Sequence, residues 1–270
     1  MHKKTLFVSD LDGTLLKNDQ TLSDFTVSTI NSLVEGGMLF SYATARSFYT
    51  AGKITERLKG NIPVIVYNGT FILENDGKSE LLSHCFTKED ADVIINTLYS
   101  GGVYPFVYAM IDSKERFSYI EDKMTDEMRD FLALRLDQRR RPTDISGTYM
   151  GDIFHFSCLD KEEKLLPVYE KLKDRFNCVY YIENYSQKPW LEIHPKSASK
   201  ATSVQKLKEL LGCDRLVCFG DGKNDIPMFE IADECYAVAN AHEELKKIAT
   251  AVIDSNENDG VAKWLMNFGL

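Results

Sequence analysis

Two aspartates two residues apart, Asp10 and Asp12, follow the apolar run Leu6-Phe7-Val8 and precede Gly13. On extended backbone such side chains share a face, roughly 7 Å apart along the chain, so both could reach one ligand. Neighbouring carboxylates repel and raise each other's pKa unless a cation or hydrogen-bond donors hold them ionised. Alone, the pattern also describes an acidic turn in water. Three further stretches carry matching chemistry: Thr44 after the apolar Met38 to Ala43, Lys200 after Ser199, and Gly220-Asp221-Gly222-Lys223-Asn224-Asp225 after Leu216 to Phe219. With Ser199 as a helix cap, Lys200 falls in the first turn, where the helix dipole disfavours a cation by ~0.3–1 kcal/mol unless an anion lies near. A surface lysine pointing to water remains the other reading. Four carboxylates (Asp10, Asp12, Asp221, Asp225), a hydroxyl and an ammonium suit a hard cation and a phosphate group. Magnesium, which takes oxygen ligands and keeps waters, fits better than zinc.

The elements that must position these residues alternate in type. Leu6 to Ser9 reads as a buried strand, Ser23 caps a helix with Val27, Ile30, Leu33 and Val34 at helical spacing, and Gly36-Gly37 ends it. A strand over Met38 to Ala43, a helix towards Leu58 and a short strand Pro63 to Val66 follow, and Asn68-Gly69 reads as a tight turn into Phe71 to Leu73. From about Cys85 the rhythm changes: helices over Thr87 to Tyr99, Met124 to Leu136 and Lys161 to Phe176 mix with strands over Val103 to Ile111, Gly151 to Cys158 and Cys178 to Ile182. This middle third reads as a separate α+β unit. The strand–helix alternation resumes near Trp190 and runs to Met266. The chain is therefore expected to be α/β, a doubly wound, mainly parallel sheet built from 1–83 and 189–270, with an α+β domain, 84–188, inserted. In such sheets ligands bind beyond the carboxyl ends of the strands, where Asp10, Thr44 and Asp221 are expected.

Bulk properties narrow the function classes. Over 270 residues, 32 Lys and Arg face 41 Asp and Glu, a net charge of −9 that argues against nucleic acid or an anionic membrane as partner. The apolar run after Met1-His2-Lys3-Lys4 is too short for a signal-peptide core or a membrane span, and the six cysteines form no Cys-x-x-Cys pair. A soluble, cytoplasmic protein with buried thiols is expected. His155 and His194 read as structural residues, since neither has a second histidine at metal spacing in the sequence. Arg139-Arg140-Arg141 reads as a solvated loop, and Tyr104, Phe106 and Tyr108 as a half-buried sheet face.

Asp10-Leu11-Asp12-Gly13-Thr14, Thr44, Lys200 and Gly220 to Asp225 together resemble the four ordered motifs of the haloacid dehalogenase superfamily of phosphatases. By position and size, the inserted domain resembles the large α+β (class IIB) cap of the Cof-type subfamily. The resemblance implies a magnesium-dependent phosphatase of small phosphate monoesters, such as sugar phosphates or phosphorylated cofactors, with no protein partner evident. Asp10 would attack phosphorus and become an aspartyl phosphate, while Asp12 would protonate the leaving alcohol and then activate water. It further implies magnesium held by Asp10, the backbone carbonyl of Asp12 and Asp221, with Asp225 supporting the metal shell or Lys200. Thr44, Lys200, Asn224 and backbone amides after Thr44, such as that of Ala45, would hold the phosphoryl oxygens, and Arg46 is a possible substrate contact.

Two positions depart from the pattern: Ala45 and Ala201 stand where relatives often have glycine. If the backbone there needed positive φ, a Cβ would strain it, and a slightly narrower pocket is expected. A phosphomutase or phosphotransferase would use the same aspartyl phosphate. A signalling receiver or a silent phospho-ligand-binding protein could share the residue types, but the nucleophile on the first strand and the inserted domain argue against a receiver.

Overall fold

A computed structural model describes residues 3–268 except 61, 134–137 and 183–187. In chain order the elements are β1 (Thr5–Ser9), α1 (Asp24–Glu35), β2 (Leu39–Tyr42), α2 (Phe48–Ile54), β3 (Val64–Val66), β4 (Phe71–Leu73) and β5 (Glu80–Ser83). There follow α3 (Lys88–Ser100), β6 (Phe106–Ile111), β7 (Lys114–Tyr119), α4 (Asp126–Ala133), β8 (Arg140–Pro142), β9 (Asp152–Leu159), α5 (Glu162–Leu172), β10 (Asn177–Ile182) and β11 (Pro189–His194). The chain ends with α6 (Lys200–Leu210), β12 (Arg215–Gly220), α7 (Ile226–Ile231), β13 (Glu234–Val238), α8 (Glu243–Ile248), β14 (Ala251–Ile253) and α9 (Gly260–Phe268). Two compact units result, one from 1–83 with 198–270 and the other from 84–197. Among the described residues no helix is long and apolar enough to cross a membrane.

The first unit holds five parallel strands in the order β14-β13-β12-β1-β2. The apolar runs of β1 and β12 are buried throughout, as strands covered on both faces must be. Phe7 and Phe219 meet Trp264 of α9 at ring-centroid distances of 6.4 and 5.2 Å. Chain order runs outward from β1 to β2 on one side and from β12 to β14 on the other, so the topological switch point lies between β1 and β12. The strand expected at Pro63 to Val66 forms instead a small antiparallel sheet, β3-β4-β5, tied to the main one by a parallel bridge from Ala43 to Ile65.

The second unit is a six-stranded sheet, β10-β11-β9-β6-β7-β8, antiparallel except between β7 and β8. One face carries α3 and α5 over a core that includes Ile94, Leu98, Leu165, Val168, Leu191 and Ile193. Here the structure corrects the boundary at 189: β11 pairs with β9 and β10, and the chain leaves this unit after residue 197. The reason is legible afterwards, because Trp190-Leu191-Glu192-Ile193-His194 alternates as a strand with two unlike faces does, whereas the central parallel strands carry unbroken apolar runs, Leu6-Phe7-Val8 and Leu216-Val217-Cys218-Phe219. The hairpin β6–β7 was not expected either; its turn is Asp112-Ser113, at φ 50° and 57°, in place of the usual Asn-Gly. The arginine run is no solvated loop. Arg140 and Arg141 lie in β8, and Arg139 is buried and paired with Glu115 at 2.5 Å.

Candidate active site

Asp10 continues the ladder one residue past β1, its N–H donating to the Phe219 carbonyl at 2.9 Å, which carries its side chain to the carboxyl edge beside β12. The chain then makes a wide turn over Leu11–Leu15, closed by Leu16 N–H on the Leu11 carbonyl at 2.8 Å. Gly13 has φ +76°, and a Cβ there would stand 2.4 Å from Asp221 Oδ2. The turn therefore needs glycine both for conformation and for room. Thr14 Oγ1 donates to Asp221 Oδ1 at 2.7 Å, and the segment after β13 ties down both loops, Asn240 donating to the Gly13 carbonyl and His242 N–H to the Asp221 carbonyl.

Ser199 caps α6 in a reciprocal pair with Thr202, so Lys200 is its first residue, as expected. Lys200 does not point to water. It is 2 % exposed, and its ammonium donates to Asp10 Oδ1 at 2.5 Å and Asp225 Oδ1 at 2.6 Å. Asp225, wholly buried, accepts the Asp221 and Gly222 N–H groups on its other oxygen at 3.0 and 2.9 Å. Both Asp225 oxygens are thus engaged in shaping the loop and orienting Lys200. Asp10, Asp221 and Asp225 each place a carboxylate oxygen within 4.8 Å of the others.

Burial, with Asp225 and Asp221 adding to it, raises the Asp10 pKa well above the usual carboxylate range against the pull of Lys200. Burial likewise raises Asp221 to about 6, while its hydrogen bond from Thr14 opposes the rise. Burial works to discharge Lys200, and the Asp10 and Asp225 carboxylates overcome it, holding the ammonium above the ordinary lysine value. Three carboxylates are gathered here with one ammonium, which only Asp10 and Asp225 bond, so the cluster has room in charge for a cation, and its donors are all hard oxygens. These residues fit magnesium.

The Asp12 carboxylate is not part of this cluster. It accepts a forked pair of bonds from Arg46 at 2.7 and 2.5 Å, and Arg46 also reaches Gln20. Thr44 is fully buried just past β2, its N–H on the Ile65 carbonyl and its hydroxyl accepting from Arg46 N–H at 3.1 Å. Asn224 donates to Asn68 Oδ1 at 3.2 Å. The sequence favours a tight turn over a ligand contact for Asn68-Gly69. With Tyr67 and Gly69, Asn68 makes three consecutive positive φ values, 51°, 53° and 94°, a strained backbone of the kind found where function requires it. Ala45 and Ala201 carry no positive φ, so the strain considered for them does not arise.

Residues 7–265 match the family model described as haloacid dehalogenase-like hydrolase. Two proteins of Bacillus subtilis (strain 168), each named a 5-amino-6-(5-phospho-D-ribitylamino)uracil phosphatase, are similar: both are 27% identical, one over 98% of this chain and 98% of its own, the other over 95% and 95%. A haloacid dehalogenase-like hydrolase from Bacteroides thetaiotaomicron has the same fold at TM-score 0.80, with 23% identity, over 98% of this chain and 100% of its own. With a family model matched over nearly its whole length, the chain belongs to the haloacid dehalogenase-like hydrolases.

Proposed function

We propose that this hydrolase is a magnesium-dependent phosphatase of small phosphate monoesters, sugar phosphates or phosphorylated cofactors, working through an aspartyl phosphate on Asp10. The observation that carries the reading is the buried Asp10, aimed by Lys200 beside Asp221 at the switch point of the sheet. Asp10 and Asp221 would hold magnesium, which when bound offsets the negative charge that otherwise repels a phosphate dianion.

An Asp10 carboxylate oxygen attacks phosphorus in line, the phosphorus–oxygen bond to the alcohol breaks, and Asp12 gives its proton to the departing oxygen. Asp12 then takes a proton from water, whose oxygen attacks the same phosphorus, and Asp10 leaves as a free carboxylate. The fork from Arg46 holds Asp12 as an acceptor, so this role requires Asp12 to leave Arg46 when an ester is bound. Lys200 and the Thr44 hydroxyl supply donors for phosphoryl oxygens, with Asn224, positioned by Asn68, beside them. Asp225 holds Lys200 in place.

The test is phosphate release from a panel of small esters, with and without magnesium, by the wild type and Asp10→Asn. The ribitylaminouracil phosphate belongs first on that panel, because two relatives are named for it. Release that needs magnesium and falls to background in Asp10→Asn is expected; release that persists in the variant defeats the reading.

A further inference from the structure

The second unit brings together another set of ligating side chains, on the sheet face opposite α3 and α5. His155 lies on β9, Glu192 and His194 on β11, and the register that pairs Ile193 with Phe156 sets His194 across from His155. Residues two apart share a face, so Glu192 and His194 point the same way while Leu191 and Ile193 fill the core beneath the helices. The two imidazole centroids are 4.3 Å apart, and His155, Glu192 and His194 each offer one ligand atom within 4.8 Å of the others. His194 Nε2 stands 3.6 Å from Glu192 Oε2. Ligands at 2.0–2.1 Å around a tetrahedral zinc ion lie roughly 3.4 Å from one another, so the His194–Glu192 pair already stands near its bound separation and the rest lie within 4.8 Å.

His155 and His194 are 7 % and 2 % exposed. The ring nitrogens of His194 and the hydroxyl of Ser157, which pairs with Glu192 across the strands, are buried without a hydrogen bond among the described residues. Buried polar atoms in that condition are rare and call for a missing partner. The surroundings hold the set in place: Tyr181 donates to Glu192 Oε1 at 3.4 Å, and Tyr108 stacks on His155 with centroids 4.9 Å apart. Supports of this kind orient ligands in metal sites. Burial, aided by His194, pushes the His155 imidazole down to about 3, so the ring is neutral. Desolvation works to raise the Glu192 carboxyl, but His194 and the Tyr181 hydroxyl beside it hold it at about 2, ionised. A neutral imidazole and an ionised carboxylate are the protonation states that ligation needs.

We propose that His155, Glu192 and His194 bind a divalent transition metal ion of the zinc type, using none of the residues around Asp10. Two imidazoles with one carboxylate suit such an ion, whereas magnesium and calcium take oxygen. The competing account is a protonated His194 paired with Glu192, which needs no metal.

The experiment uses the full chain, stripped with a chelator and kept in excess magnesium chloride, and titrates zinc alone against a chromophoric competitor. One zinc equivalent of micromolar or tighter affinity is expected, retained in Asp221→Asn and weakened by about tenfold or more in His194→Gln and Glu192→Gln. No bound equivalent, one that His194→Gln leaves intact, or one that Asp221→Asn abolishes overturns the proposal. If the cap-unit variants fail to fold, cobalt(II) decides with the wild type. Intense visible bands of a four-coordinate nitrogen–oxygen site support it, and the weak spectrum of six oxygen ligands or thiolate charge-transfer bands refute it.

Discussion

Replacing Lys200 by methionine removes the ammonium that Asp10 and Asp225 share. The three side chains are 1, 7 and 0 % exposed, so water cannot take its place. Deleting one partner of a buried ion pair costs about 3–5 kcal/mol, because the remaining charge is left desolvated. Here two carboxylates lose the same cation at 2.5 and 2.6 Å, while Asp225 keeps its two backbone donors, so the expected loss of stability at pH 8 in chelator is about 3–5 kcal/mol. The loss depends on pH with a definite sign. Burial already raises the Asp10 pKa, and without Lys200 it rises further, so the folded variant takes up a proton that the unfolded chain does not. Protonation relieves the unpaired charge, and the difference from wild type must be smaller at pH 5 than at pH 8. Magnesium at pH 8 should recover part of it. Urea unfolding followed by tryptophan emission reads this, provided Trp190→Phe is made in both proteins, since Trp190 lies in the second unit and Trp264 packs on Phe219 and Tyr236 in the first. A loss below about 1 kcal/mol at pH 8, or one that grows towards pH 5, would refute the buried-pair argument.

Two further outcomes follow from the same cluster. With burial raising Asp221 to about 6 from 3.8, the chelated protein should lose stability as pH rises between those values, and a proton should compete with magnesium below about 6. The magnesium-induced rise in Tm then shrinks as pH falls through 6; a rise unchanged from pH 8 to pH 5 contradicts it. Gly13→Ala places a Cβ 2.4 Å from Asp221 Oδ2 at a φ of +76°, a conformation costing about 1–2 kcal/mol, and should cut magnesium affinity and phosphate release by about tenfold while circular dichroism stays native. Wild-type magnesium affinity in that variant would show that the turn does not press on Asp221.

Much of the first unit is legible in the sequence because its signals are local. The apolar runs ending in Asp10 and Asp221 announce buried parallel strands, and a lysine in the first turn of α6 is a conflict that a nearby anion resolves. The structure supplies that anion as Asp10. What sequence hides is pairing across strands. His155 and His194 look solitary because no spacing rule joins them, yet the β9–β11 register sets them opposite each other. Arg139 looks solvated because its partner, Glu115, lies on a hairpin whose polar run and Asp-Ser turn resemble a loop. Asn68 matters through Asn224, far along the chain. Ala45 was read through the conformations that glycine permits elsewhere, whereas here the backbone needs none of them.

The placement of β1 has a consequence for synthesis. Its ladder neighbours are β2 and β12, with Thr5 opposite Arg215, so the strand that carries Asp10 waits for most of the chain to be made before its second edge can be covered. A chain halted at residue 197 has all of 84–197, a compact unit contiguous in sequence, but no Lys200, Asp221 or Asp225. Long-range pairing of this kind is slow to form. The strand that carries Asp10 therefore keeps an open edge until β12, in the last quarter of the chain, has been made.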